Sequence, residues 1–245
     1  MLNPVLYLAV FSLVFKLMQR GSVPNFPVYL LSGVLAWSLF STSVGLAARS
    51  VVDNSMLVTK VYFPREILPF ASVGTAMVDF VIQGVVLVAF MFITHAFVGG
   101  LNLLLLPLSM FALLSFTSAL GMWVASLNVR YRDTQHLLSL ILLVWFWMTP
   151  VVYPSAAVFK EFGDRHVLGV SALHIYLANP MAEVVMGFQR ALYAVVAPDN
   201  NPVLAPVSLG WLAAVLGAIS VGSLFLLTLS WRTFFHLSGD FAEEL

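Results

Sequence analysis

The side chains able to do chemistry are few and far apart. The five histidines, His95, His136, His166, His174 and His236, are scattered, and no His-Glu-x-x-His run places two of them on one helix face. No Gly-x-x-x-x-Gly-Lys-Ser/Thr run occurs, so the backbone cradle and the lysine that hold nucleotide phosphates are missing. Cysteine is absent, which excludes disulfides, thiolate metal ligands and cysteine nucleophiles. No catalytic residue, metal ligand or cofactor site is assigned. If this chain does vectorial work, its energy comes from elsewhere.

Three other stretches carry more information. Asp79 lies inside a long apolar run, where a carboxylate is costly and is by default a functional hypothesis. Bonding to a neighbouring helix is favoured over proton relay, because no second acid or base sits at the centre of another apolar run. Trp145, Phe146 and Trp147 are consecutive, ahead of Thr149-Pro150 and Tyr153-Pro154. An aromatic belt at a membrane interface accounts for such residues in general. Three in a row cannot all face lipid, because successive helical residues point about 100° apart. At least one faces protein or a lumen, and aromatic faces suit a sugar path. The segment from Asp53 to Glu66 is compact and apolar between two long apolar runs. Asp53 or Asn54 can cap a short helix, Pro64 forces Phe63 extended, and Glu66 falls in the next helix's first turn. Either a docking surface for a soluble partner or an interfacial loop with Tyr62 and Phe63 at headgroup depth fits it.

The elements that hold these residues follow from composition. The 245 residues are 61% apolar and 9% charged with zero net charge, whereas soluble domains are about half apolar and a quarter charged. The chain is an integral membrane protein. A spanning helix takes about 20 mostly apolar residues, and six runs are candidates, the first of them short: Asn3–Leu17, Val28–Ala48, Leu68–Phe97, Leu103–Leu127, His136–Tyr153 and Val207–Trp231. The first lacks a basic leader and a cleavage site, so it reads as a retained helix rather than a signal peptide. The long third run has room to tilt. The fold class is all-α, a single transmembrane domain over 1–245. Between the fifth and sixth runs, 154–206 reads as two short re-entrant helices at the outer face, the second opening at Pro180 with Asn179 as its cap.

Basic residues orient the chain. Arg49, Lys60 and Arg65 follow the second run, Arg130 and Arg132 follow the fourth, and the loop Val98–Asn102 has none. Both termini are therefore expected in the cytoplasm, although Lys16, Arg20, Lys160, Arg165 and Arg190 then fall outside. Asp133 is placed to cap the fifth run. In the last run Gly210, Ala214, Ala218 and Gly222 form a ladder of small residues that allows close helix approach, between two copies or within one.

These stretches together resemble the membrane subunit of type 2 ABC exporters for polysaccharide, O-antigen, galactan or teichoic acid. The likeness rests on Tyr29-Leu30-Leu31-Ser32-Gly33 with Trp37 and Phe40, on Lys60 to Pro69, on Leu127 to Asp133, on Trp147 to Pro154, on Asn179-Pro180-Met181 with Arg190, and on the tail Phe241 to Leu245. The resemblance implies six spans, a homodimer with the conduit between its copies, and two copies of a separate cytoplasmic ABC ATPase that binds ATP and Mg. It makes Asn54, Lys60, Tyr62, Phe63, Pro64, Arg65 and Glu66 a coupling segment, joined by Arg130, Arg132 and Asp133. It makes 154–197 a pair of gate helices, with Trp145, Phe146, Trp147, Tyr153, Asn179 and Arg190 along the polymer path or gate. The expected partners are the ATPase, a second copy, membrane lipid and a lipid-linked glycan or polymer, with no nucleic acid. The expected place is a bacterial cytoplasmic membrane. Such subunits usually begin with a surface amphipathic helix carrying an Arg-Tyr motif, whereas this sequence starts almost at its first span: either its start is truncated or misassigned, or the subunit lacks part of the ATPase interface and cytoplasmic substrate entrance. A small-molecule or lipid exporter of the same fold, a proton-coupled carrier using Asp79, and a non-transporting scaffold are the alternatives.

Overall fold

Apolar runs this long bury their backbone polarity within themselves, and helices result. A computed structural model describes residues 25–61, 63–93, 100–131, 133–163, 165–167, 170–193, 203–239 and 241. The expected first span, Asn3–Leu17, lies outside them, as do Tyr62, Arg132 and the tail beyond Phe241. The described elements are α1 (Phe26–Asp53), α2 (Ser55–Lys60), α3 (Ile67–Ile93), a 3-10 turn (Leu101–Leu104), α4 (Leu105–Arg130), α5 (Thr134–Met148) and α6 (Ser155–Phe162). There follow β1 (His166–Val167), β2 (Val170–Ser171), α7 (Ala172–Leu177), α8 (Pro180–Tyr193) and α9 (Leu209–Ser238). Among the described residues the fold is helical apart from one two-residue antiparallel pair, His166 opposite Ser171 and Val167 opposite Val170.

Among the described residues, α1, α3, α9 and the 3-10 turn with α4 are long and apolar enough to cross a membrane. α5 is apolar but only 15 residues long. The sequence places the fifth run on to Tyr153; the helix stops at Met148 because Thr149 and Pro150 turn the chain. α9 continues past Trp231 to Ser238. Gly100 opens the 3-10 turn at φ +92°, a conformation that glycine adopts without a Cβ penalty.

α1 is mostly buried, whereas α3 and α9 are mostly exposed. Gly210, Ala214, Ala218 and Gly222 of α9 are all exposed, and a Cβ added at Gly210 or Gly222 would meet nothing within 4 Å. The ladder is not used for packing against other described segments. Asp79 is likewise exposed, midway along α3.

Backbone contacts divide the chain into two units. One gathers described residues from Met1–Trp37, Val81–Met110 and Phe146–Gly217; the other gathers them from Ser38–Phe80, Phe111–Trp145 and Ala218–Leu245.

Candidate functional site: a coupling segment and a tyrosine-lined turn

The second unit holds the segment between α1 and α3. Asn54 occupies the N-cap position of α2, and its carbonyl accepts from Leu57 and Val58 at 2.9 and 3.0 Å. Its side chain does not cap; the Nδ2 donates back to the Ser50 carbonyl at 2.8 Å. The bend is thus tied to the end of α1 rather than to α2. Val58 points inward and packs with Val51, Met122, Ala125, Val129, Phe234 and Phe241. Phe63 packs against the same cluster, so it is committed inward rather than to headgroups. Met56, Leu57 and Val61 point outward, with Met56 75% exposed. A six-residue helix with one anchored valine and a row of exposed apolar side chains has the form of a docking knob.

The ends of three longer helices join that cluster. Val129 brings the end of α4, where Arg130 places its guanidinium 6.0 Å from the Tyr131 ring centroid, near the limit for a cation–π contact. Asp133 precedes α5, and its carbonyl accepts from His136 and Leu137, both at 3.1 Å. Arg65 donates to the Ser238 carbonyl at the end of α9. A cavity of 610 Å³ lies beside this contact, lined by residues from Val58 to Val61 and Phe63 to Glu66 on one side and by Phe235, Ser238 and Gly239 on the other. Lys60, Phe63, Pro64, Arg65 and Glu66 therefore share one wall.

The first unit holds the turn after α5, and polar side chains grip it from below. Tyr29 of α1 donates to the Tyr153 carbonyl at 2.7 Å and approaches the Pro150 carbonyl at 3.4 Å. Gln189 of α8 donates to the same Pro150 carbonyl at 2.7 Å. Asn179 donates to Met148 and to Thr149 Oγ1, each at 3.3 Å, while its Oδ1 accepts from the Met181 N–H at 3.1 Å. The expected cap on α8 is present, and it also ties α8 to the turn. Tyr153 donates to the Trp147 carbonyl at 3.2 Å, and its hydroxyl stands 3.3 Å from that of Tyr176 in α7. Gly33 lets the Val151 backbone and the Gln189 side chain come close, a Cβ there lying 2.9 Å from Gln189 Nε2 and 3.2 Å from the Val151 carbonyl oxygen, while a Cβ at Gly187 would lie 2.2 Å from the side-chain Oγ of Ser109.

The three consecutive aromatics part company. Trp145 packs edge-on against Phe40 and Phe116 within the second unit. Phe146 packs against Trp37 at 5.5 Å within the first unit. Trp147 is 57% exposed. Arg190 is half-buried on α8, and its Nε has no hydrogen-bond partner among the described residues.

Sequence reasoning passed over Tyr29, Gly33, Tyr176, Glu183 and Gln189 as interacting residues. Glu183 is the one with a visible signal, an acid within the apolar face of α8. It is fully buried, and neither carboxyl oxygen has a hydrogen-bond partner among the described residues. Burial raises its pKa from 4.5 to about 8, because the charged form loses its hydration. The packed state therefore binds a proton that the unpacked state releases above its ordinary pKa. Stability falls as pH rises from the ordinary carboxyl range through about 8 and is flat beyond. Glu183→Gln keeps the shape without the charge and is expected to abolish this slope. Thermal unfolding in detergent between acid and alkaline pH should show the wild type losing on the order of 5 kcal/mol that the variant keeps. Equal slopes in both proteins would place the titration elsewhere.

Several helices long and apolar enough to cross a membrane define a multi-pass membrane protein. The chain belongs to the ABC-2 type transporter family, whose profile matches residues 1–163. It is similar to the O-antigen export system permease protein RfbA of Myxococcus xanthus, 36% identical over 205 residues, covering 83% of this chain and 75% of that one. Two proteins of the same description from Klebsiella pneumoniae are each 26% identical. Their alignments cover 76% and 77% of this chain, and 68% and 69% of theirs.

Proposed function

We propose that this chain is the membrane-spanning subunit of an ATP-driven exporter that moves a lipid-linked polysaccharide, of the O-antigen kind, across a bacterial cytoplasmic membrane. The observation that carries the reading is the 36% identity, over 83% of this chain, to a protein described as an O-antigen export permease. A separate ATPase, in two copies, binds ATP and Mg and drives the segment around α2. The exposed Met56, Leu57 and Val61 are its docking row, and the sequence Arg130 to Asp133 contributes the charged part of the same interface. Six spans, counting Asn3–Leu17, set both termini in the cytoplasm. α6 to α8 form the outer-face gate, dipping into the membrane without crossing it. The polymer passes between two copies, and the exposed small-residue ladder of α9 supports close approach of a second one. The aromatic belonging to the polymer path is Trp147, because Trp145 and Phe146 are engaged within the subunit. ATP-dependent movement of lipid-linked glycan into inverted membrane vesicles carrying the chain and its ATPase tests the reading.

A further inference from the structure

We propose that Arg65 is a positioning residue that fastens the end of α9 to the coupling segment, so that displacement of that segment reaches the last span as well as α3. The inference rests on the functional reading above, in which a partner ATPase displaces the segment. It adds the element that receives the motion.

The last carbonyls of a helix have no partner inside it. Ser238 closes α9, and its hydroxyl is turned back to the Phe235 carbonyl at 2.7 Å, leaving its own carbonyl to a donor from elsewhere. That donor is Nη1 of Arg65, 173 residues away in sequence. A cation at a helix C-terminus is favourable in addition, since the dipole leaves partial negative charge there. The main chain of Arg65 does a different task. Its carbonyl accepts from Leu68 at 3.2 Å, and that of Pro64 accepts from Ile67 at 3.2 Å, in the turn that begins α3. One residue thus holds the start of α3 with its backbone and the end of α9 with its side chain.

The surroundings say why this link matters for motion. Deeper in, Val58 shares a buried cluster with Phe234 and Phe241, whose rings meet edge-on at 5.3 Å. Toward the surface the segment and α9 separate around the 610 Å³ cavity, with Thr59, Lys60 and Val61 on one wall and Phe235 and Gly239 on the other. Close packing transmits displacement, and a void does not. At this level the Arg65 bond spans the gap, and the apolar floor beneath serves as the pivot.

The test uses the complex of the full chain with its ATPase in proteoliposomes. The expected result for Arg65→Ala is a fall in glycan exported per ATP hydrolysed of about tenfold, partly restored in Arg65→Lys, whose ammonium can still donate to a carbonyl. A second measurement guards against a variant that is merely misfolded. The chain has no cysteine, so spin labels at Thr59→Cys and Phe235→Cys, both exposed, report the distance between the segment and α9. With Arg65 present that distance is expected to hold when a non-hydrolysable nucleotide is added, and with Arg65→Ala to spread. A label distance that changes equally in both proteins, or an export ratio unchanged in Arg65→Ala, overturns the proposal. A wild-type chain that binds no ATPase overturns the functional reading itself, and this inference with it.

Discussion

Gly33→Ala is expected to destabilise the protein, while Gly45→Ala, three turns along the same helix, is expected to stabilise it. Both exchanges gain about 1 kcal/mol of helix propensity. At Gly45 a Cβ meets nothing within 4 Å, so the gain is kept. At Gly33 the new atom would stand 2.9 Å from Gln189 Nε2, 3.2 Å from the Val151 carbonyl oxygen and 3.3 Å from Val151 Cα. The glutamine can swing, but only by giving up its 2.7 Å bond to Pro150, and the Val151 contacts are backbone. Overpacking of this kind costs about 1–3 kcal/mol, which outweighs the helix gain. Gly33→Leu adds a full side chain to the same gap, and no folded protein is expected. Melting of the two alanine variants in detergent decides the matter; a Gly33→Ala variant as stable as Gly45→Ala would show that the turn after α5 yields freely.

Trp145→Ala and Trp147→Ala are expected to fail in opposite ways. Trp145 holds Phe40 at 5.2 Å and Phe116 at 6.1 Å, and Phe40 is fully buried. Trp145 itself is half-buried; removing the indole strips both rings of packing, and about 2 kcal/mol of stability goes with it. Trp147 contacts Phe146 but leaves more than half of its surface open. Its loss is expected to cost under about 1 kcal/mol, yet to change export, because that surface is free for a sugar ring. Melting temperature and export rate, measured on both variants, separate the roles. If Trp147→Ala exports the same glycans at the wild-type rate, aromatic contact at this position has no part in transport.

Composition made the membrane class legible, and the runs later seen as α1, α3, α4 and α9 were evident because each is apolar over more than a spanning length. Their ends were less so. Asp53 and Ser238 terminate helices through hydrogen bonds and packing that a hydropathy run does not record. The cap at Asn179 was readable because Asn-Pro is a local signal, complete within three residues. α6 and the two-residue strands were not, since 154–206 mixes short apolar pieces with Pro, Gly and charge. The grip on the turn was hidden for another reason: Tyr29 meets Tyr153 across 124 positions, and Gln189 meets Pro150 across 39. Nothing within either stretch announces its partner. The same holds for the coupling segment, whose apolar surplus was evident while the Arg65 link to α9 was not. Asn54 gave the right boundary for the wrong reason, standing at the start of α2 while bonding back to Ser50.

The central claim is that this chain exports polymer with energy supplied by another polypeptide, and reconstitution tests it most directly. The tagged chain would be purified with its neighbouring ATPase and placed in proteoliposomes with lipid-linked glycan on the nucleotide-accessible side. The account predicts a stable complex whose glycan crosses only with ATP and Mg, and whose export is unaffected when a proton gradient is collapsed. Glycan that crosses with the gradient alone, or a chain that binds no ATPase, would contradict it.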